Sequence, residues 1–238
     1  MVLCSIFAKK SMFENPQCEK CLFKSPAAKT LDVKQIGKLE QNCAVANMKK
    51  GDIIFKQGIF ASNIVYLKEG IVKLFVEGPY DEQILKIVKG PTYLGIPTTL
   101  DQKFNHYSAM AIDNVNACFI DVDVFKCFVQ ENGKFSYEII VELCKNEINL
   151  FNKLVSRSQK NARGRIADAI LFFHDEIFQN IKFTMPLTRQ ELGNYVNTSR
   201  ESVSRILTEF TKDKIIELKG KQVFIKDFEK LKLVSQTG

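Results

Sequence analysis

Tryptophan is absent from the 238 residues, and histidine occurs only twice, at His106 and His174. Two isolated imidazoles give no zinc-hydrolase or haem signature; a lone His beside an apolar face is ordinarily structural. A glycine-rich phosphate loop, a Ser–His–Asp order and a paired-carboxylate signature are all missing, so the sequence predicts no enzyme. Asp113, Asp121 and Asp123 sit at strand ends, where Asp commonly caps turns. No apolar run approaches the roughly 18 residues of a membrane helix. Nor does the N-terminus carry a charged lead-in followed by a sustained apolar stretch. Seven cysteines, an odd number, without an export signal point to a reducing cytoplasm and away from a disulfide framework.

What is present is modestly basic. Lys and Arg total 34 against 27 Asp and Glu, a net charge of +7. That balance suits a protein that meets a polyanion on one face. The length allows one large or two modest domains, each with its own core.

Texture divides the chain into four pieces. Residues 1–30 are irregular and carry three cysteines. Residues 31–133 begin with a short helix (Leu31–Leu39) and continue as short β-rich runs with Gly51, Gly58, Gly70, Gly90 and Gly95 at the corners. Such spacing predicts a small β jelly roll, with a hairpin turn over residues 77–81. Residues 134–160 predict one long helix. Its apolar stripe Val141, Cys144, Ile148, Phe151 and Val155 has the spacing of a parallel pairing with a second copy. The alternative is a doubly buried helix within a monomer. Residues 161–238 open with a helix over Arg165–Phe178. The fold class is therefore α+β: jelly roll, dimerisation helix, C-terminal helical domain.

The most informative segment is Leu187–Leu207. Thr188 with Glu191 makes a capping box, so a helix begins there. Asn197-Thr198 breaks the period, and Ser199 caps a second helix whose Val203, Ile206, Leu207 and Phe210 face inward. Arg200, Glu201, Ser204 and Arg205 are left outside at its leading end. Long donors and acceptors there can reach base edges in a major groove. Ile215–Leu218 and Gln222–Ile225 then flank Lys219-Gly220-Lys221, a hairpin whose basic tip suits phosphate. Helix-turn-helix plus hairpin is a winged helix.

From Leu31 to Ile225 the order of elements resembles the bacterial Crp/Fnr family of the cyclic-AMP receptor and the fumarate–nitrate reduction regulator. The resemblance rests on Gly51-Asp52-Ile53-Ile54-Phe55 with Gly58, Leu67 with Gly70, Gly164-Arg165-Ile166-Ala167-Asp168, and Thr188-Arg189-Gln190-Glu191-Leu192 followed by Ser199-Arg200-Glu201-Ser202-Val203-Ser204-Arg205. It implies a homodimeric, sequence-specific transcription regulator with a cyclic-nucleotide-binding-like sensor and RNA polymerase as partner. It further implies a palindromic operator with a GA-containing half-site. DNA contacts are expected from Thr188, Arg189, Gln190, Ser199, Arg200, Glu201, Ser204, Arg205, Lys219 and Lys221. A sensor whose main output is protein–protein interaction is the alternative.

The resemblance also frames the input. In the cyclic-AMP branch a Glu holds the ribose and an Arg-Ser pair holds the cyclic phosphate. The corresponding pocket here is Gly95, Ile96, Tyr107 and Ser108, without the arginine. Losing the one bidentate, permanently charged phosphate partner argues against cyclic AMP. The oxygen-responsive branch holds an iron–sulfur cluster on three N-terminal cysteines and one on a late strand. Cys18, Cys21 and Cys118 match in placement, Ala27 stands near the missing position, and Cys4 could complete four thiolates. A reversible thiol switch and inert buried thiols are the other readings, and Cys43, Cys127 and Cys144 are read as inert.

Overall fold

The computed structural model describes residues 13–14, 17–101 and 103–238. The chain forms two compact units. One runs through Val72 and again over Val88–Ile140; the other joins Lys73–Ile87 to Val141–Gly238.

The first unit opens with β1 (Phe13–Glu14), α1 (Pro26–Lys29) and α2 (Val33–Gln41). Asp32 caps α2 in a capping box with Gln35, so the helix starts two residues later than the sequence pattern predicts. There follow β2 (Cys43–Met48), β3 (Ile53–Phe55), β4 (Asn63–Glu69), β5 (Ile71–Glu77), β6 (Glu82–Lys89) and β7 (Thr92–Leu94). Helix α3 (Ile96–Asp101), β8 (Ser108–Ala111), β9 (Val115–Asp121) and α4 (Val122–Glu131) complete the series. The strands make a five-stranded sheet, β1-β2-β9-β4-β7, and a four-stranded sheet, β3-β8-β5-β6.

Strand β4 is central, pairing with β9 on one side and β7 on the other. Its Ile64 and Leu67 are wholly buried. The β4–β5 corner requires glycine. Gly70 has φ +98°, and a Cβ there would meet the Asn114 carbonyl oxygen at 2.2 Å. Below the sheet Phe125 and Phe128 pack edge-on to Phe135, at 5.3 and 5.7 Å between ring centres.

Helix α5 spans Gly133–Gln159, 27 residues, or about 40 Å at 1.5 Å per residue. Asn132 Oδ1 accepts from the Phe135 N–H at 3.1 Å and anchors its first turn. Within a single chain Cys144 is exposed, and Ile148, Phe151 and Val155 are about half exposed. Leu150 and Leu154 are likewise open, whereas Val141 is only partly exposed.

In the second unit α6 covers Ala162–Phe172, capped by Asn161. The pattern predicts one α-helix through Phe178, but the last turn, Phe173–Phe178, is π-helical. Five-residue spacing in that turn lets Phe173 stack on Phe178 at 6.4 Å, and Phe178 stack on Phe183 at 5.3 Å. Then come β10 (Lys182–Thr184), α7 (Arg189–Val196), α8 (Arg200–Lys212), β11 (Ile216–Lys219), β12 (Gln222–Ile225) and α9 (Phe228–Thr237). A three-stranded sheet, β10-β12-β11, forms the wing. No helix among the described residues is long and apolar enough to cross a membrane.

Candidate nucleic-acid interface and sensor residues

Helix α7 begins as its sequence dictates. Thr188 Oγ1 accepts the Glu191 N–H at 3.1 Å, and Glu191 Oε2 accepts the Thr188 N–H at 2.8 Å. Asn197 ends the helix in the left-handed conformation. Gly193 lets the turn close, since a Cβ there would lie 2.6 Å from the Thr198 carbonyl oxygen. Ser199 Oγ then caps α8 through the Ser202 N–H at 3.1 Å. Val203, Ile206, Leu207 and Phe210 are buried, leaving Arg200, Glu201, Ser204 and Arg205 exposed on one side.

Arg205 is not a free side chain. Its Nη1 lies 2.6 Å from Glu209 Oε1, whose other oxygen is 2.9 Å from Arg163 Nη1. Arg163 Nη2 in turn reaches Asp213 at 2.6 Å. This relay aims the guanidinium from one side and leaves its outer edge open. Glu209 lies four residues beyond Arg205, so i,i+4 spacing could have found it in the sequence. Arg163 is out of reach of any such pattern.

At the wing tip Gly220 takes φ +61°, and Lys219, Lys221 and Gln222 are exposed. Lys219 also lies 3.2 Å from Glu217. Thr188 and Gln190 are exposed, whereas Arg189 is partly buried. Gln190 Nε2 donates to Asp81 Oδ2 at 2.8 Å, and Glu191 Oε1 lies 2.9 Å from Lys73 Nζ. The first turn of α7 is thus engaged by the β5–β6 hairpin, which groups with this unit and not with the rest of the barrel.

Of the four pocket residues of the barrel, Gly95 and Tyr107 bond to each other, while Ser108 is engaged by Gln57. Tyr107 hydroxyl accepts the Gly95 N–H at 3.2 Å, and Thr98 and Thr99 donate to the Gly95 carbonyl at 3.0 and 2.6 Å. Ser108 is fully buried and its Oγ accepts the Gln57 N–H at 3.0 Å; Ile96 is 3% exposed. The Gly95 N–H is thereby used within the protein, and what the pocket lacks for a cyclic phosphate is the arginine.

The cysteines regroup. Cys4 lies outside the described residues, and Cys21 is partly exposed. Cys43 pairs across β2–β9 with Ile120, which puts it diagonal to Cys118 on the same face. Cys43 interacts with Cys118 across that diagonal and also with Cys18. Its thiol is pushed far up by those two neighbours and then by burial. Cys43 in turn pulls Cys118 down to about 7 against the opposing effect of burial, with the Lys68 cation helping. Cys18 is lowered by the same neighbour. Cys43 is the residue that sequence reading passes over as core. Among the described residues no group of three or more His, Cys, Asp or Glu is arranged to hold a metal ion. The expected set of Cys4, Cys18, Cys21 and Cys118 reaches beyond them, because Cys4 lies outside the described residues.

Comparisons agree with this architecture. Residues 45–132 match the cyclic nucleotide-binding domain family, and residues 164–234 match the Crp-like helix-turn-helix domain. The chain belongs to the Crp/Fnr family. Among its relatives is Electron transport regulator A of Shewanella oneidensis, 28% identical over 194 residues, spanning 79% of this chain and 77% of that one. A CRP-like cAMP-activated global transcriptional regulator of Mycobacterium tuberculosis is 25% identical over 201 residues, spanning 82% and 90%. In fold, the chain resembles the crystal structure of a Crp/Fnr-family regulator from Eubacterium rectale. The TM-score is 0.76 at 15% identity, over 89% of this chain and 98% of that one. As a Crp/Fnr protein it is a DNA-binding transcription regulator with a cyclic-nucleotide-binding-like sensory domain.

Proposed function

We propose that this Crp/Fnr protein is a homodimeric, redox-responsive regulator that acts with RNA polymerase in the cytoplasm at palindromic operators. The observation that carries the redox assignment is the diagonal placement of Cys43 and Cys118 on one face of β2–β9, with the Lys68 cation acting on Cys118. Clustered thiols, one biased toward thiolate beside a cation, are what an oxidant attacks first. Cys118 sulfur attacks hydrogen peroxide, the O–O bond breaks and hydroxide leaves, so that Cys118 becomes a sulfenic acid. Cys43 sulfur then attacks it, the S–O bond breaks, and water leaves as the Cys43–Cys118 disulfide forms. Two thiols are oxidised and one peroxide is reduced, with both thiol protons ending in water.

Two further features support the reading. The barrel pocket offers no bidentate cation for cyclic phosphate, so a nucleotide input is disfavoured. The exposed stripe Cys144–Ile148–Phe151–Val155 on α5 has the spacing of a coiled-coil seam, which favours pairing with a second copy. A dimer places two α8 helices about one turn of DNA apart, roughly 34 Å, which matches a palindrome with GA-containing half-sites. Selection from random DNA with anaerobically purified protein tests the reading, alongside an absorption spectrum and metal analysis. The expected outcome is a palindrome selected by colourless, reduced protein and lost after peroxide. Brown, iron-loaded protein would overturn the thiol assignment, and selection indifferent to peroxide would overturn the redox one.

A further inference from the structure

Behind Tyr195, on the side of α5 opposite its exposed apolar stripe, the second unit gathers three cations, and among the described residues only Lys86 has an acid acting on it. Lys153 Nζ sits 3.9 Å from the centre of the Tyr195 ring and donates to the Leu85 carbonyl at 2.6 Å. Lys86 Nζ, on β6, donates to Asn146 Oδ1. One helical turn beyond Lys153, Arg157 has two guanidinium nitrogens, Nε and Nη2, that are buried and hydrogen-bond to nothing. A buried donor left unmatched is unfavourable, and guanidinium N–H groups are the donors most often satisfied by an oxyanion.

The neighbouring acids are engaged elsewhere. Both oxygens of Asp168 are taken, by Ser156 at 2.6 Å, by Lys160 at 2.8 and 2.9 Å, and by Ser235. Glu142 acts on Lys86, so among the described residues the unmatched cations are Lys153 and Arg157. Burial, then the Arg157 and Lys86 charges, drive the Lys153 ammonium down to about 7. Desolvated as they are, Lys153 and Arg157 call for a counter-ion that the described residues do not supply.

We propose that Lys86, Lys153 and Arg157 form a binding site for a phosphate-bearing small molecule. A phosphate group brings about −1.5 to −2 charge and three acceptor oxygens, enough for one guanidinium fork and two ammonium groups at once. A carboxylate, with two oxygens and one charge, would leave a cation unmatched. The site joins β6, α5 and α7, so an occupant would bear on the helix that leads into the recognition turn. It is separate from the barrel pocket and from the thiols, and it stands whether or not the redox reading does.

The test is calorimetric titration of the full chain with pyrophosphate and with inorganic phosphate, repeated on Arg157→Gln and Lys153→Met. Lysine side chains are followed in parallel by carbon NMR. Expected are saturable single-site binding, a loss of at least tenfold in affinity in both variants, and an upward move of the Lys153 titration when pyrophosphate is bound. Lys86→Gln serves as a third variant should either of the others fail to fold. No saturable heat with either anion, or equal affinity in wild type and variants, overturns the proposal. So does a Lys153 titration that shifts only with operator DNA, because the oxygens would then belong to the DNA backbone.

Discussion

Lys73 Nζ lies 2.9 Å from Glu191 Oε1, and the same ammonium is 2.6 Å from Glu82 Oε1. One buried cation thus ties the β5–β6 hairpin to the residue that closes the capping box of α7. Burial pulls Lys73 down, but its two carboxylate partners outweigh that and leave it above its ordinary value. Glu191 is raised by burial, yet the Thr188 N–H and Lys73 bring it below the usual carboxylate range.

Glu191→Gln keeps an acceptor for the Thr188 N–H while removing the charge that faces Lys73. It should cost about 1–2 kcal/mol, because Lys73 retains Glu82 and is not left wholly unpaired. The sign with pH follows from the depressed carboxylate. Its contribution is present above the unfolded value of about 4.3 and is lost as pH falls through the lower folded value. Chemical denaturation at neutral and at acid pH measures both. The variant should differ from wild type at neutral pH and converge with it in acid.

Arg205→Ala should cost roughly 1–3 kcal/mol on a cognate operator and relax one base position. Glu209→Gln removes the carboxylate that aims Arg205, so it should weaken discrimination at that same position, and by less. Lys221→Ala should reduce the salt slope by about one while leaving base preference unchanged. Binding titrations on cognate and random DNA at several salt concentrations separate the three outcomes.

Phe151→Glu places a charge in the exposed stripe of α5. Sedimentation should show the dimer dissociating, and operator binding should fall with it. Operator affinity kept by a monomer would contradict the pairing of α5 helices.

Lys153, packed against the Tyr195 ring of α7, carries its own pH signature, set first by burial and then by the charges of Arg157 on α5 and Lys86 on β6. A lysine near 7 in the folded chain and about 10.4 unfolded is bound to more protons in the unfolded state between those values. Stability should therefore rise with pH across that window. Lys153→Met should remove most of the rise, as read from melting curves at pH values either side of 8.

The helix-turn-helix was legible in the sequence because its determinants are local. Thr188 with Glu191, Ser199 as a cap and the inward period of Val203–Phe210 all act within one or two helical turns. The placement of Cys43 was not legible, since its neighbours are set by the β2–β9 register and by where residues 17–25 pack. Those residues are held by Tyr66, whose hydroxyl donates to the Phe23 carbonyl at 2.7 Å, and by Ser25 against Tyr93. The Lys73–Glu191 pair spans 118 residues and leaves no periodic trace. The π-helical turn at Phe173 escaped for a similar reason, because the contact that favours it comes from Phe183 on a later strand.

The most direct test of the central claim is operator binding by fluorescence anisotropy, with reduced protein, after one equivalent of peroxide, and after re-reduction. Cys43→Ser and Cys118→Ser are measured beside wild type. The account predicts that wild type loses at least tenfold in operator affinity on oxidation and regains it on reduction, while both variants stay unchanged. Unaltered binding by wild type whose Cys43–Cys118 disulfide is verified by mass spectrometry would contradict it.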